Sequence, residues 1–156
     1  MRALLQRVSR AEVRVDGESV GAIGPGLLVF VAVAPSDDEL VAAALATRVV
    51  GLRIFPDDAG RTNLSLLDLG GAVLVVSQFT LYADSRRGRR PSFIGAAGPV
   101  QGERLYESFC GAVASSGVPL ERGRFGADME VELVNEGPFT VWLDSAELGI
   151  ESPQAG

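Results

Sequence analysis

Two short polar stretches hold the groups that could do chemistry: Ser77-Gln78-Phe79-Thr80-Leu81 and Asn135-Glu136-Gly137-Pro138-Phe139-Thr140. The first follows the apolar run Ala72-Val73-Leu74-Val75-Val76 and switches abruptly to hydroxyl and amide side chains. Consecutive backbone N–H groups at a strand end can converge on a developing oxyanion, each donor being worth about 2.7–4 kcal/mol at a transition state. Thr80 offers a hydroxyl nucleophile, but a hydroxyl needs an activating base. Its other roles are hydrogen-bond partner or cap of a turn. The second stretch offers backbone. A Gly-Pro pair between two strand-like runs is an ordinary turn, or a stiff corner that pushes carbonyl oxygens into a neighbouring cavity.

Composition narrows the chemistry. The chain has no histidine and a single cysteine, Cys110. Ser-His-Asp and Cys-His machinery, His-ligated metals and thiolate zinc sites within one chain are therefore excluded. No compact carboxylate constellation suggests a magnesium site, so neither metal nor cofactor is expected. The remaining tools are backbone amides, hydroxyls, carboxylates, arginines and groups supplied by the substrate. Net charge is −6, against a broadly basic nucleic-acid surface and against DNA as a partner. Every basic residue is arginine, however, and four cluster in Arg86-Arg87-Gly88-Arg89-Arg90. That cluster is a solvated loop or a contact for one phosphate-rich feature.

The elements that must position these groups follow from periodicity. Residues 2–8 and the alternating 11–15 read as strands, and Asp16-Gly17 marks a hairpin into 19–23. Leu27–Val33 is continuously apolar, a strand buried on both faces. Ser36-Asp37-Asp38-Glu39 has capping-box spacing ahead of a helix through Val41, Leu45 and Val49. Residues 53–55 form a short strand, 63–69 fit neither period, and 83–98 read as a long loop. Pro99 opens a second helix with a stripe of Leu105, Tyr106, Phe109 and Val113. Residues 129–134 and 139–143 are the last strands, and 151–156 a frayed tail. The fold class is α/β, with mixed β-sheets and two main helices in one compact domain. No stretch has the roughly 18 uninterrupted apolar residues of a membrane span, and the start lacks a secretory signal, so a cytoplasmic setting is expected.

The motifs Ser77–Asp84, Arg89–Phe93, Gly123–Met129 and Asn135–Thr140, with Gln6-Arg7-Val8 and 51–55, closely resemble D-aminoacyl-tRNA deacylase. The resemblance covers residues 1–144 in order and leaves 145–156 as a C-terminal tail. It implies a homodimeric ester hydrolase that removes D-amino acids, and also glycine mischarged onto tRNA(Ala). It implies a catalytic pocket at Ser77, Gln78, Phe79 and Thr80 for the aminoacyl ester and the tRNA's 3′ terminal adenosine. The same resemblance implies a cis Gly137-Pro138 corner that reaches into the partner subunit to reject L-amino acids. Arg7 would steady the corner, Phe125 and Met129 would line the pocket, and the ribose 2′-hydroxyl would help activate water. Phe139 departs from the smaller aliphatic residue often found after that proline. Two other readings stay open: an esterase using Thr80 as nucleophile, and a dimeric RNA-binding module without activity.

Overall fold

The structure is a computed structural model that describes residues 1–153. Its central strand is β1, Arg2–Val15, which the sequence divides into two strands. β1 pairs antiparallel with β3 (Gly26–Ala32) along its first half and with β2 (Glu18–Ile23) along its second. It pairs with β8 (Glu130–Asp144) along nearly its whole length. The β1–β2 turn is the expected Asp16-Gly17 pair, with φ of 51° and 80° at the two residues. Positive φ at both centres matches a hairpin's twist, and Asp-Gly tolerates it. Beyond β3 the sheet continues in parallel through β6 (Ala72–Ser77) to β7 (Leu120–Arg122). Parallel neighbours need crossovers. They are supplied by α1 (Glu39–Val50) and α3 (Pro99–Ser115), with a small hairpin, β4 (Phe55–Pro56) and β5 (Thr62–Leu64), and the one-turn α2 (Leu66–Leu69) between.

Side-chain alternation divides the core between the two sheet faces. Leu5, Val29, Val31, Val73 and Val75 meet the stripes of α1 and α3, including Leu45, Leu105 and Phe109. Val8, Val13, Leu28, Leu74 and Val76 form a second cluster on the opposite face. β3 and β6 are thus buried on both faces, as their unbroken apolar runs require. Fully burying a side chain such as Phe109 contributes about 1.5–3 kcal/mol.

Local details depart from the sequence expectations where a distant partner intervenes. The cap of α1 is Asp38, which accepts the Val41 N–H at 2.9 Å; Ser36 does not cap it. Asp37 turns instead to the amino group of Met1, at 2.7 Å, and the Ala34 N–H, at 2.6 Å. A capping box does form in the stretch that fitted neither period, between Ser65 and Asp68. Of residues 151–153 in the expected frayed tail, Glu151 and Pro153 are exposed and Ser152 alone is anchored to the body of the molecule, just after a segment that is well packed. Ile150 N–H bonds the Ser145 carbonyl at 2.8 Å, Leu148 and Ile150 pack on the core, and Ser152 donates to Asp38. Residues 154–156 of that expectation lie outside the described residues.

Candidate active site

A cavity of about 620 Å³ opens at the C-terminal ends of the parallel strands β3 and β6. Ser77, Gln78, Phe79, Phe125 and Met129 line it, together with Tyr106, Phe93 and Asp128. Ser77 ends β6 opposite Val31, and the chain then turns through one 3₁₀ turn, Phe79–Tyr82. The Gln78 N–H is committed to the Val31 carbonyl at 2.7 Å. That bond takes the Gln78 N–H out of any set of strand-end donors that could converge on an oxyanion. The amides free to face a ligand are those of Phe79 and Thr80, in the open first turn. Thr80 stands just beyond the lining residues, its hydroxyl accepting from the Gln78 side-chain amide at 2.5 Å. Among the described residues no carboxylate or amine bonds to that hydroxyl.

The walls are largely aromatic. Phe79, half exposed, meets Phe93 edge-on at 5.2 Å between centroids, and Phe125 tilts against Tyr106 at 5.9 Å. Tyr106 is fixed by a 2.9 Å bond from its hydroxyl to the Val75 carbonyl. Burial pushes its phenol above the ordinary tyrosine range and the Cys110 thiol behind it up to about 11. Neither ionises near neutrality. Such walls suit a planar ring or an apolar side chain. Among the described residues no three His, Cys, Asp or Glu side chains cluster as metal ligands. Phe125 and Met129, for which spacing alone favours core packing, do pack against the two core clusters and also line the cavity. Met129 can pack there because Gly123 has no side chain: a Cβ on Gly123 would stand 2.7 Å from the Met129 sulfur.

Arg7, Gly137 and Pro138 lie elsewhere, on β1 and β8, and do not line this cavity. Gln6 pairs with Thr140 and Val8 with Asn135, so Glu136–Phe139 bulges out opposite the single residue Arg7. The Gly137-Pro138 peptide is cis, and Glu136, Gly137 and Pro138 are exposed. Asn135 closes the bulge, its side-chain amide donating to the Arg7 carbonyl at 2.9 Å and the Phe139 carbonyl at 3.1 Å. The Arg7 guanidinium lies 4.1 Å over the Phe139 ring, donates to the Ile54 carbonyl at 2.6 Å and stands 3.3 Å from Glu136. Arg7 is therefore more than a strand-end salt bridge, and the larger Phe139 gives it a cation–π platform. A Cβ on Gly137 would meet nothing in its own chain nearer than the Asn135 Oδ1, at 3.9 Å.

One positioning contact escaped the sequence reading. Arg2 donates to Asp144 at 2.8 Å and to the Leu81 carbonyl at 3.0 Å, and lies 4.2 Å over the Tyr82 ring. It ties the turn carrying Phe79 and Thr80 to the end of β8. Only a strand-pairing map could have joined residues so far apart in sequence.

The family profile described as D-Tyr-tRNA(Tyr) deacylase matches residues 4–144. A D-aminoacyl-tRNA deacylase of Ruegeria pomeroyi is 60% identical over 144 residues, covering 92% of this chain and 99% of the relative. Another, from Thermomicrobium roseum, is 59% identical over 148 residues, covering 95% and 96%. The solved structure titled c-Myc DNA Unwinding Element Binding Protein is 35% identical with a TM-score of 0.87, covering 93% of this chain and 99% of that one. A probable eukaryotic D-amino acid tRNA deacylase, 20% identical, shares the fold with a TM-score of 0.80, covering 91% and 97%. With a family profile spanning nearly the whole sequence and relatives this similar along their full length, the chain belongs to the D-aminoacyl-tRNA deacylase family of tRNA ester hydrolases.

Proposed function

We propose that this chain hydrolyses the ester of D-aminoacyl-tRNA in the cytoplasm, releasing free D-amino acid and tRNA, and spares L-aminoacyl-tRNA. The observation that carries the reading is an aromatic-walled cavity beside two open amides, with no activated protein nucleophile. Such a site can bind a terminal adenosine and stabilise an ester's oxyanion. It leaves attack to water assisted by the ribose 2′-hydroxyl of the substrate. Ser77, Gln78, Phe79 and Thr80 form the reacting end, and Phe125 and Met129 hold the acyl group. Neither metal nor cofactor takes part. RNA is the nucleic-acid partner rather than DNA, because an acidic chain of net charge −6 has no broadly basic face for a duplex.

Chirality is read by the Gly137-Pro138 corner of a second copy, steadied by Arg7, so the active species is a homodimer. Selection of this kind works by a clash with the wrong enantiomer rather than by a lost attraction. A side chain on the L face would strike the corner's carbonyls, whereas glycine has none to strike. The same filter therefore lets glycine mischarged onto tRNA(Ala) through. Gly137 supports this placement: its own chain leaves room for a Cβ, so any need for glycine arises outside the chain.

The deciding experiment compares D- and L-aminoacyl-tRNA hydrolysis with chelator present. D-ester turnover should exceed L-ester turnover by at least about a hundredfold, a preference worth roughly 2.7 kcal/mol, with chelator changing neither. Equal rates would end the proposal. Gly137→Ala should melt with the wild type yet lose most D-ester turnover; an unchanged rate would remove the corner from the site.

A further inference from the structure

The arginine cluster is carried on a hairpin closed at its base. Asp84 and Ser92 exchange both backbone hydrogen bonds, each 2.8 Å, closing residues 85–91 into a loop. Asp84 then takes the Arg86 side chain through two bonds, of 2.9 and 2.7 Å, and the Arg86 N–H at 3.0 Å. Those bonds to Arg86 hold the Asp84 carboxyl down to about 2, so the pair stays ionised at any working pH. Arg86 is therefore spent inside the loop.

Arg87, Arg89 and Arg90 are different: all three are exposed, and none has an ion-pair partner among the described residues. Several other exposed arginines are answered by acids, as Arg10 and Arg14 by Glu132, Arg104 by Glu39 and Arg122 by Glu107. Those without an ion pair among the described residues, Arg48, Arg53 and Arg124, are scattered singly along the chain. Only on this loop do three unpaired arginines gather within four residues among the described residues, and such a concentration of like charge on an acidic molecule suits an external anion. Their position says which one. Phe93, a wall of the cavity, follows Ser92 at the base of the hairpin. Arg90 is three residues from Phe93, so their backbones are at most roughly 10 Å apart.

We infer that the 84–92 hairpin docks the phosphate backbone of the tRNA just behind its esterified end, through Arg87, Arg89 and Arg90, with Arg86 as an internal strut. The inference rests on the deacylase reading for the identity of the RNA. Phosphate contacts fix register and orientation without reading sequence. The hairpin thus sets how the acceptor end enters the cavity and leaves tRNA identity unread.

The test uses the double variant R89S/R90S. Binding of uncharged tRNA is measured across a salt series, and hydrolysis is measured on D-aminoacyl-tRNA and on D-aminoacyl-adenosine, which lacks the stem phosphates. The expected result is a Kd for tRNA raised about tenfold, with the slope of log Kd against log salt reduced by about 1.5–2. kcat/KM on D-aminoacyl-tRNA should fall by a similar factor, and on D-aminoacyl-adenosine stay within twofold. An unchanged Kd and salt slope would overturn the hairpin's role, as would an equal loss on both esters. A wild-type protein that binds tRNA but hydrolyses neither ester would instead sink the deacylase reading, and the salt slope would still decide the hairpin.

Discussion

The Thr80 hydroxyl accepts the Gln78 amide at 2.5 Å, and among the described residues no carboxylate or amine bonds to it to take its proton. A threonine nucleophile without a base is a poor one. A threonine that orients a glutamine beside the cavity needs only its oxygen. Thr80→Val separates the roles, because valine keeps the shape and loses the acceptor. Losing one such bond costs about 0.5–1.5 kcal/mol, so kcat should fall less than about tenfold, as single-turnover deacylation would show. A loss of about a thousandfold or more, with substrate analogue still bound, would restore Thr80 as the attacking group. Arg7 makes the same point about residue identity. One guanidinium covers Phe139, reaches Ile54 and stands by Glu136, a set of contacts a lysine's single ammonium could not reproduce.

At the scale of elements, the reacting turn is four residues long and cannot hold its own shape. It is held from outside: by the Gln78 N–H on Val31, and by Arg2 gripping Leu81, Tyr82 and Asp144. Both anchors reach β strands whose pairing is fixed by the core. Arg2→Met would keep the stem over Tyr82 and remove both hydrogen bonds. We expect kcat to fall about five- to tenfold, while the melting temperature moves by only a few degrees, since a half-buried cation–π contact with one ion pair is worth about 1–2 kcal/mol. Arg2→Lys should not rescue it, because an ammonium lacks the fork that spans Leu81 and Asp144. Wild-type turnover in Arg2→Met would reduce the contact to surface packing. Sequence foresaw the strand that delivers Ser77, but no local pattern announces that residue 2 grips residue 81.

For the whole molecule, the cavity lies where parallel strands end, above a core shared by α1 and α3. Phe109 sits in that core with no exposed surface, one helical turn before Val113 on the buried stripe of α3. Phe109→Ala should cost about 3–5 kcal/mol, a large part of the 5–15 kcal/mol typical of a domain. A thermal melt should drop by about 10 °C or more. The D-over-L preference of the molecules still folded should be unchanged, because Phe109 reaches neither the cavity wall nor the corner. The two halves of the proposed site, cavity and corner, stand on different parts of one chain, and this is the geometry a pair of copies would complete. A light-scattering mass of one chain at assay concentration would contradict it.

Strand alternation, the stripe of α3, the Asp-Gly turn and the polar switch after Val76 were all legible in the amino-acid order, because each depends on neighbours within a few residues. The family motifs were legible too, since their residue types and order survive without coordinates. Tertiary structure alone decided the rest. It merged 2–8 with 11–15 and 129–134 with 139–143 into two long strands, because β1 and β8 stabilise each other along their length. It moved the α1 cap to Asp38 because Asp37 is drawn to Met1, and it spent the Gln78 amide on Val31. It also put the short β7 beside β6, a pairing with no periodic signature of its own. In every such case the deciding partner is far away in the chain, where local pattern carries no information about what will be near.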